Sequence, residues 1–218
     1  MTYIENVFVC IAGPILLATF FMGKKYYGVF YFCIAGMGVC LLSAYINTFF
    51  ARLYDADFIS ATAQIAPMVE EIMKLMPVLF YLLIFEPKPE KISVAVLIVA
   101  ISFATFENIC YLIENGAAQL SFILVRGFGT GAMHIVCGAI ASYGLIYVWQ
   151  YSWLKISGTF GLLGAAIIFH AIYNLLIAHG SITQYIAYSL PVFTMIIGKV
   201  INRIYKSNGV KNGGTANL

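Results

Sequence analysis

The sequence predicts an all-α, polytopic membrane protein with about seven transmembrane helices, its N-terminus outside the cytosol and its C-terminus inside. Three observations predict it. Of 218 residues, 62% are hydrophobic and 10% charged, where a soluble domain carries about a quarter charged residues. The charges are clumped, and the apolar stretches between them reach the roughly 20 residues that a helix needs to cross a bilayer. The basic residues gather on alternate connections, as positive-inside topology requires.

The expected spans are 5–23, 28–50, 62–85, 92–113, 128–150, 157–178 and 183–204. The first has Glu5 as its only early charge and no basic leader region, so it reads as a span and not a cleaved signal. Between the fourth and fifth, Ala117 to Arg126 reads as a short interfacial helix. Residues 1–205 then form one transmembrane domain, and 206–218, polar and glycine-rich, a flexible cytosolic tail. With the N-terminus outside, Lys24, Lys25, Lys88, Lys91, Lys155, Arg203, Lys206 and Lys211 are cytosolic, and only Arg52 and Arg126 lie outside. A net charge of +3 is too small to suggest a nucleic-acid partner. Cys10, Cys33, Cys40, Cys110 and Cys137 form no CxxC pair and read as small packing residues, with no disulfide and no cysteine metal site.

Against this apolar background a few residues are out of place. The third span carries Glu70, Glu71 and Lys74 near its middle. Each such charge costs about 2.5–3.5 kcal/mol at a helix centre on insertion scales. Glu70 and Lys74 have the i,i+4 spacing of a helical ion pair; Glu71 points about 100° away and is expected to lack that partner. A packing ion pair explains one carboxylate, not two. The fourth span carries Glu107, on a face with Phe103 and Tyr111; the fifth carries His134 among small residues; the sixth carries His170 and Asn174 one turn apart. At 1.5 Å per residue, these groups lie roughly 6–13 Å below the outer ends of their spans. Four helices therefore place polar groups in one slab of the outer leaflet, which implies a shared hydrated cavity. Pro67 and Pro77 flank the glutamate pair and can open the helix there.

That set can hydrolyse an amide. A glutamate beside a lysine can act as general base for water, with Glu107, His134 or His170 as a second base or ligand. An Asn and a His can donate to a tetrahedral oxyanion. Two versions stay open: a metal-free glutamate-activated water, or zinc held by His134, His170 and a glutamate such as Glu107. No organic cofactor is implied. HExxH is absent. The only aspartates, Asp55 and Asp57, share one loop and cannot form a two-helix dyad. A proton-coupled transporter would use similar groups, but the inverted repeats frequent in transporters are not evident here.

At these residues the chain resembles the PrsW family of intramembrane proteases, within the wider clan of CAAX-prenyl and bacteriocin-processing peptidases. Glu70-Glu71-Ile-Met-Lys74 matches EExxK, and Phe103 to Glu107-Asn108 matches FxxxEN. His134 with Gly138 and His170 with Asn174 match the third and fourth motifs, in family order. Asn174 stands where PrsW proteins often have Asp, and the acidic cluster usual after the first span is missing. Glu107, where CAAX-type enzymes carry His, favours the PrsW branch. The resemblance implies a multi-pass protease of the bacterial cytoplasmic membrane, cutting a single-pass anti-sigma factor on its extracytoplasmic side. It also implies roles: Glu70 as leading base, Glu107 and His134 positioning water or metal, His170 and Asn174 on the oxyanion side, Lys74 holding the carboxylates, and Glu71 in a less defined place.

Overall fold

The computed structural model describes residues 3–116, 118–180 and 182–212. Seven long helices account for most of them, and no strand occurs among the described residues. They are α1 (Ile4–Phe21), α2 (Tyr27–Leu53), α3 (Ala66–Phe85), α4 (Pro89–Asn115), α5 (Gly131–Val148), α6 (Lys155–Ala178) and α7 (Ile182–Asn212). Five helical segments are long and apolar enough to cross a membrane: 4–21, 24–53, 89–115, 120–148 and 155–178. The protein is therefore a multi-pass membrane protein. The helix α3 falls outside that group, and it is the one that carries Glu70, Glu71 and Lys74.

Each expected span coincides with a helix, with two differences. The stretch expected as a separate interfacial helix runs instead straight into α5: a turn at Leu120–Leu124 leads into a six-residue π-helix, Val125–Thr130, and then into α5. Ala117 itself lies outside the described residues. The helix α7 continues to Asn212, and residues 213–218 of the expected tail lie outside the described residues.

Helices α2, α4, α5 and α6 pack in series, and α3 closes a ring by packing on α6, α2 and α4. The helix α1 flanks α2, and α7 flanks α6 and α5. Three apolar clusters surround the centre. One joins Val78 and Leu82 of α3 to Val96 and Val99 of α4 and Leu145 of α5. A second joins Ala12, Met37, Phe103 and Phe106 across α1, α2 and α4. The third joins Met133, Cys137, Ala166 and Tyr173 of α5 and α6. The outer faces are also apolar, with Phe80, Leu83, Tyr143, Phe160 and Phe193 exposed. In water such surfaces would aggregate; in lipid they are the solvated side.

One close approach of two helix backbones is made by a glycine. A Cβ on Gly36 of α2 would overlap Ser102 Oγ and lie 2.6 Å from the Val99 carbonyl oxygen of α4. A backbone carbonyl in a helix cannot move aside, so Gly36→Ala must push α2 off α4. We expect a loss of roughly 1–3 kcal/mol, read as a lower thermal unfolding midpoint in detergent. An unchanged midpoint would mean that the two helices do not approach this closely.

Candidate active site

The centre of the ring is polar. Glu70 and Glu71 of α3, Lys74 one turn later, His134 of α5 and His170 of α6 are all buried. They are joined by a chain of short contacts. Lys74 Nζ donates to Glu71 Oε1 at 2.6 Å, and the same oxygen is 2.8 Å from His170 Nδ1. Lys74 Nζ is also 2.9 Å from His134 Nδ1. On the far side of that ring, His134 Nε2 is 2.8 Å from Glu107 Oε2 of α4. The two imidazoles meet edge to face, with centroids 5.0 Å apart. Phe103 packs its face on Lys74 Nζ at 4.6 Å, which shields the ammonium from lipid.

The lysine partner differs from the expectation. Lys74 pairs with Glu71 at i,i+3, not with Glu70 at i,i+4. The Glu71 carboxylate turns inward between Lys74 and His170, so it is the best-partnered carboxylate of the pair. Glu70 is the freer one. Its Oε1 accepts a long bond from Asn47 Nδ2 at 3.3 Å. Its Oε2 is buried, has no hydrogen-bond partner among the described residues, and faces His170 Nε2 at 3.8 Å. That distance is too long for a hydrogen bond.

Ligand atoms of Glu70, His134 and His170 all lie within 4.8 Å of one another. The glutamate of this group is Glu70; Glu107, the glutamate named with the two histidines from the sequence, instead bonds His134. The donor set of Glu70 and His170 fits a metal; His134 joins it only when Lys74 Nζ gives up Nδ1, because Glu107 already holds its Nε2. Glu70 Oε2 is an orphaned buried carboxylate oxygen, the kind of atom that needs a cation. His170 Nδ1 is held by Glu71, the carboxylate–histidine arrangement that orients a ligating imidazole and leaves Nε2 for the ion.

Asn174 is the one predicted site residue that the structure does not bring into the cluster. Its Nδ2 donates to the Thr62 carbonyl oxygen at 2.9 Å, and the reason lies in the chain just before α3. Residues Ala61–Ile65 form a π-helix, in which the Ala66 N–H bonds the Ala61 carbonyl. In that register the Thr62 carbonyl would accept from residue 67, which is Pro67 and has no N–H. A half-buried carbonyl needs another donor, and Asn174 of α6 supplies it. The proline thus opens the helix one to two turns before the glutamates and ties α3 to α6. Asn174→Ala should lower stability by about 1–3 kcal/mol while leaving metal binding intact. Thermal unfolding and metal content of the variant check this; a variant as stable as the parent would remove the tie.

Three contributors escaped sequence reasoning. Asn47, Arg126 and Thr130 reach the site from α2 and from the π-helix before α5. Arg126 stacks its guanidinium on Tyr111 at 3.7 Å and brings Nη2 to 3.3 Å from Glu107 Oε2. Thr130 Oγ1 bonds the buried Tyr173 hydroxyl at 3.1 Å. Asn47 is a polar residue in an apolar helix and could have been flagged as such. Arg126 was read only as a topological charge, because the π-helix that swings it toward α4 leaves no periodic signal. Asp57, in contrast, is as peripheral as expected. It caps the short turn Phe58–Ser60, and the Ser60 N–H on its side chain at 2.7 Å holds its carboxyl below the usual range.

Water can reach the cluster. A cavity of ≈ 410 Å3 between α1, α2 and α4 has Glu70, Glu107, Phe103 and Tyr111 in its walls and Glu5 and Glu114 toward its mouth. A larger cavity of ≈ 850 Å3 lies between α3 and α6 at the other end, near Glu86 and Lys155, and touches none of the candidate residues. The smaller one is the cavity with the chemistry.

The family model for PrsW family intramembrane metalloproteases matches residues 24–198. The chain belongs to that family. No curated protein and no solved structure matches it. As a PrsW-family protease it hydrolyses a peptide bond of a membrane protein within the bilayer, and its matched region holds all the clustered residues from Glu70 to His170.

Proposed function

We propose that this PrsW-family protease makes the first cut in a single-pass anti-sigma factor near the extracytoplasmic face, with Glu70 as the general base and Glu70, His134 and His170 holding one zinc ion. The observation that carries the site is the orphaned Glu70 Oε2, buried and facing His170, on a residue that lines the cavity.

A zinc ion there would polarise the scissile carbonyl and acidify water. The protein groups do the rest. Glu71 holds the His170 ring through Nδ1, and Lys74 neutralises Glu71 so that two adjacent carboxylates can share a buried helix. Glu107 orients His134 through Nε2, so the nitrogen His134 would offer a metal is Nδ1, which Lys74 Nζ must then release. Glu70 takes the proton from the attacking water and returns it to the leaving amine. Asn174 acts at a distance, by holding the start of α3 in place. The cavity opens at the end of the ring where α1 begins and α2 and α4 finish. With the N-terminus outside, as the basic residues favour, that end is extracytoplasmic, and the site then lies in the same leaflet as the expected cut.

The test is to reconstitute the full chain in liposomes with a single-span anti-sigma factor and to map the product ends by mass spectrometry. The expected cut lies in the outer part of the substrate helix or its outer flank. A cut on the cytosolic flank would reject the orientation. Cleavage of other single-span proteins, with anti-sigma factors left whole, would reject the substrate class.

A further inference from the structure

The geometry points to Arg126 as a further catalytic residue, whose guanidinium donates to the scissile carbonyl oxygen as that oxygen becomes the oxyanion. The inference rests on the hydrolytic site proposed above and adds a side-chain donor for the oxyanion, which the other protein groups of that site do not supply.

The other donors in the cluster are committed. Lys74 Nζ serves Glu71 and His134. His170 Nδ1 serves Glu71, and its Nε2 faces Glu70. Asn174, from whose position an oxyanion donor was expected, is spent on the Thr62 carbonyl. Arg126 differs. Its side chain is 15% exposed, yet Nε and Nη2 are shut off from solvent without a hydrogen-bond partner among the described residues. Among the described residues, its one polar contact besides Glu107 is a long 3.5 Å approach of Nη1 to Thr130 Oγ1. Buried donors in folded proteins are nearly always satisfied, and an exception calls for an explanation. Here Nε has no partner among the described residues, and Nη2 has only its 3.3 Å ion pair with Glu107, beside the reacting groups.

The placement is fixed from two sides. Tyr111, one turn after Glu107 on α4, supports the flat face of the guanidinium at 3.7 Å. The π-helix Val125–Thr130 carries its backbone; such wide turns recur at functional sites. Arg126 Nη2 contacts the same Glu107 oxygen that His134 Nε2 contacts. The guanidinium is thus one carboxylate oxygen away from a candidate metal ligand, and both Glu107 and Tyr111 line the water-accessible cavity. The guanidinium packs against these two wall residues and does not itself line the cavity, so a substrate carbonyl meets it only after pressing past them.

The step balances as follows. The water oxygen bonds to the carbonyl carbon, Glu70 takes the water proton, and the carbonyl π electrons move onto oxygen. Arg126 stabilises that negative charge without giving up a proton. Collapse re-forms the C=O bond and breaks the C–N bond, and the amine leaves with the proton from Glu70.

A purely structural arginine would hold Glu107 and nothing more, and a lysine can do that as a point charge. The two roles separate kinetically. Full-length wild type, Arg126→Ala, Arg126→Lys and Glu70→Gln proteins are compared in detergent on one single-span test peptide cleaved by the wild type. Metal content and thermal unfolding are measured alongside. Oxyanion donation predicts a kcat about 100–1,000-fold lower in Arg126→Ala, with KM and metal content little changed. It predicts Arg126→Lys well below wild type, and partial recovery of Arg126→Ala on adding free guanidinium. If Arg126→Lys is fully active, or Arg126→Ala loses metal in proportion to activity, the arginine is a tether and the proposal falls. If Arg126→Ala does not fold, the lysine variant decides alone. An active Glu70→Gln protein would instead refute the site itself, which keeps the two failures distinct.

Discussion

Glu70→Gln should abolish proteolysis and leave a folded protein. The change keeps the side-chain size and the bond with Asn47, and it removes the negative charge from an oxygen without a hydrogen-bond partner among the described residues. A lost general base lowers rate by about 100–10,000-fold, and loss of the metal-binding charge from the same carboxylate adds to that. Glu71→Gln should behave in the opposite way. Glu71 balances Lys74 at 2.6 Å and orients His170, so its loss strands a buried ammonium, at a cost of about 3–5 kcal/mol. The pair of variants therefore splits the EExxK motif into a chemical and a structural carboxylate. Cleavage assays and thermal unfolding on both proteins read the split directly. A Glu70→Gln protein that cleaves at the wild-type rate would sink the assignment, and a Glu71→Gln protein as stable as the parent would sink the division of labour.

Removing the metal should be as severe. The purified protein is expected to hold about one zinc ion per chain, and a strong chelator should stop cleavage until metal is returned. His170→Ala removes the Nε2 donor, and with it the ring that Glu71 orients. Its metal affinity should fall by more than the roughly 10–100-fold typical of losing an outer partner alone. His134→Ala should do the same from the α5 side. Metal content by elemental analysis, set against activity, checks all three proteins. Undiminished cleavage by metal-free protein would make Glu70 the sole activator of water and return both histidines to positioning roles.

How much of this was legible beforehand depends on the kind of signal. The helices were, because an apolar run long enough to span a bilayer is a property of composition and length. The convergence of Glu70, Glu71, Lys74, Glu107, His134 and His170 was also legible, since charged groups in lipid must find one another and their depths agreed. The pairing within the cluster was not. Helical spacing makes i,i+4 and i,i+3 equally reachable, and the choice of Glu71 over Glu70 is set by His170, almost a hundred residues away. The partner of Asn174 was not legible for a similar reason. Its motif position pointed at the chemistry, while the carbonyl left bare by Pro67 claimed its amide. Arg126 could not be placed at all without the π-helix that aims it.

The charges in α3 also bear on how this protein is made. Five helical segments can enter a bilayer on their own apolarity, but α3 brings Glu70, Glu71 and Lys74 with it. Each is a penalty of about 2.5–3.5 kcal/mol at the centre of an isolated helix. Their compensating partners, Asn47, His134 and His170, belong to α2, α5 and α6, and two of those helices are synthesised after α3. The newly made segment is thus a poor candidate for independent insertion. It must wait at the interface or lean on α2 until the later helices arrive, so biogenesis and active-site assembly are a single event. A chain cut short before α6 would strand its catalytic helix without the imidazole that secures it.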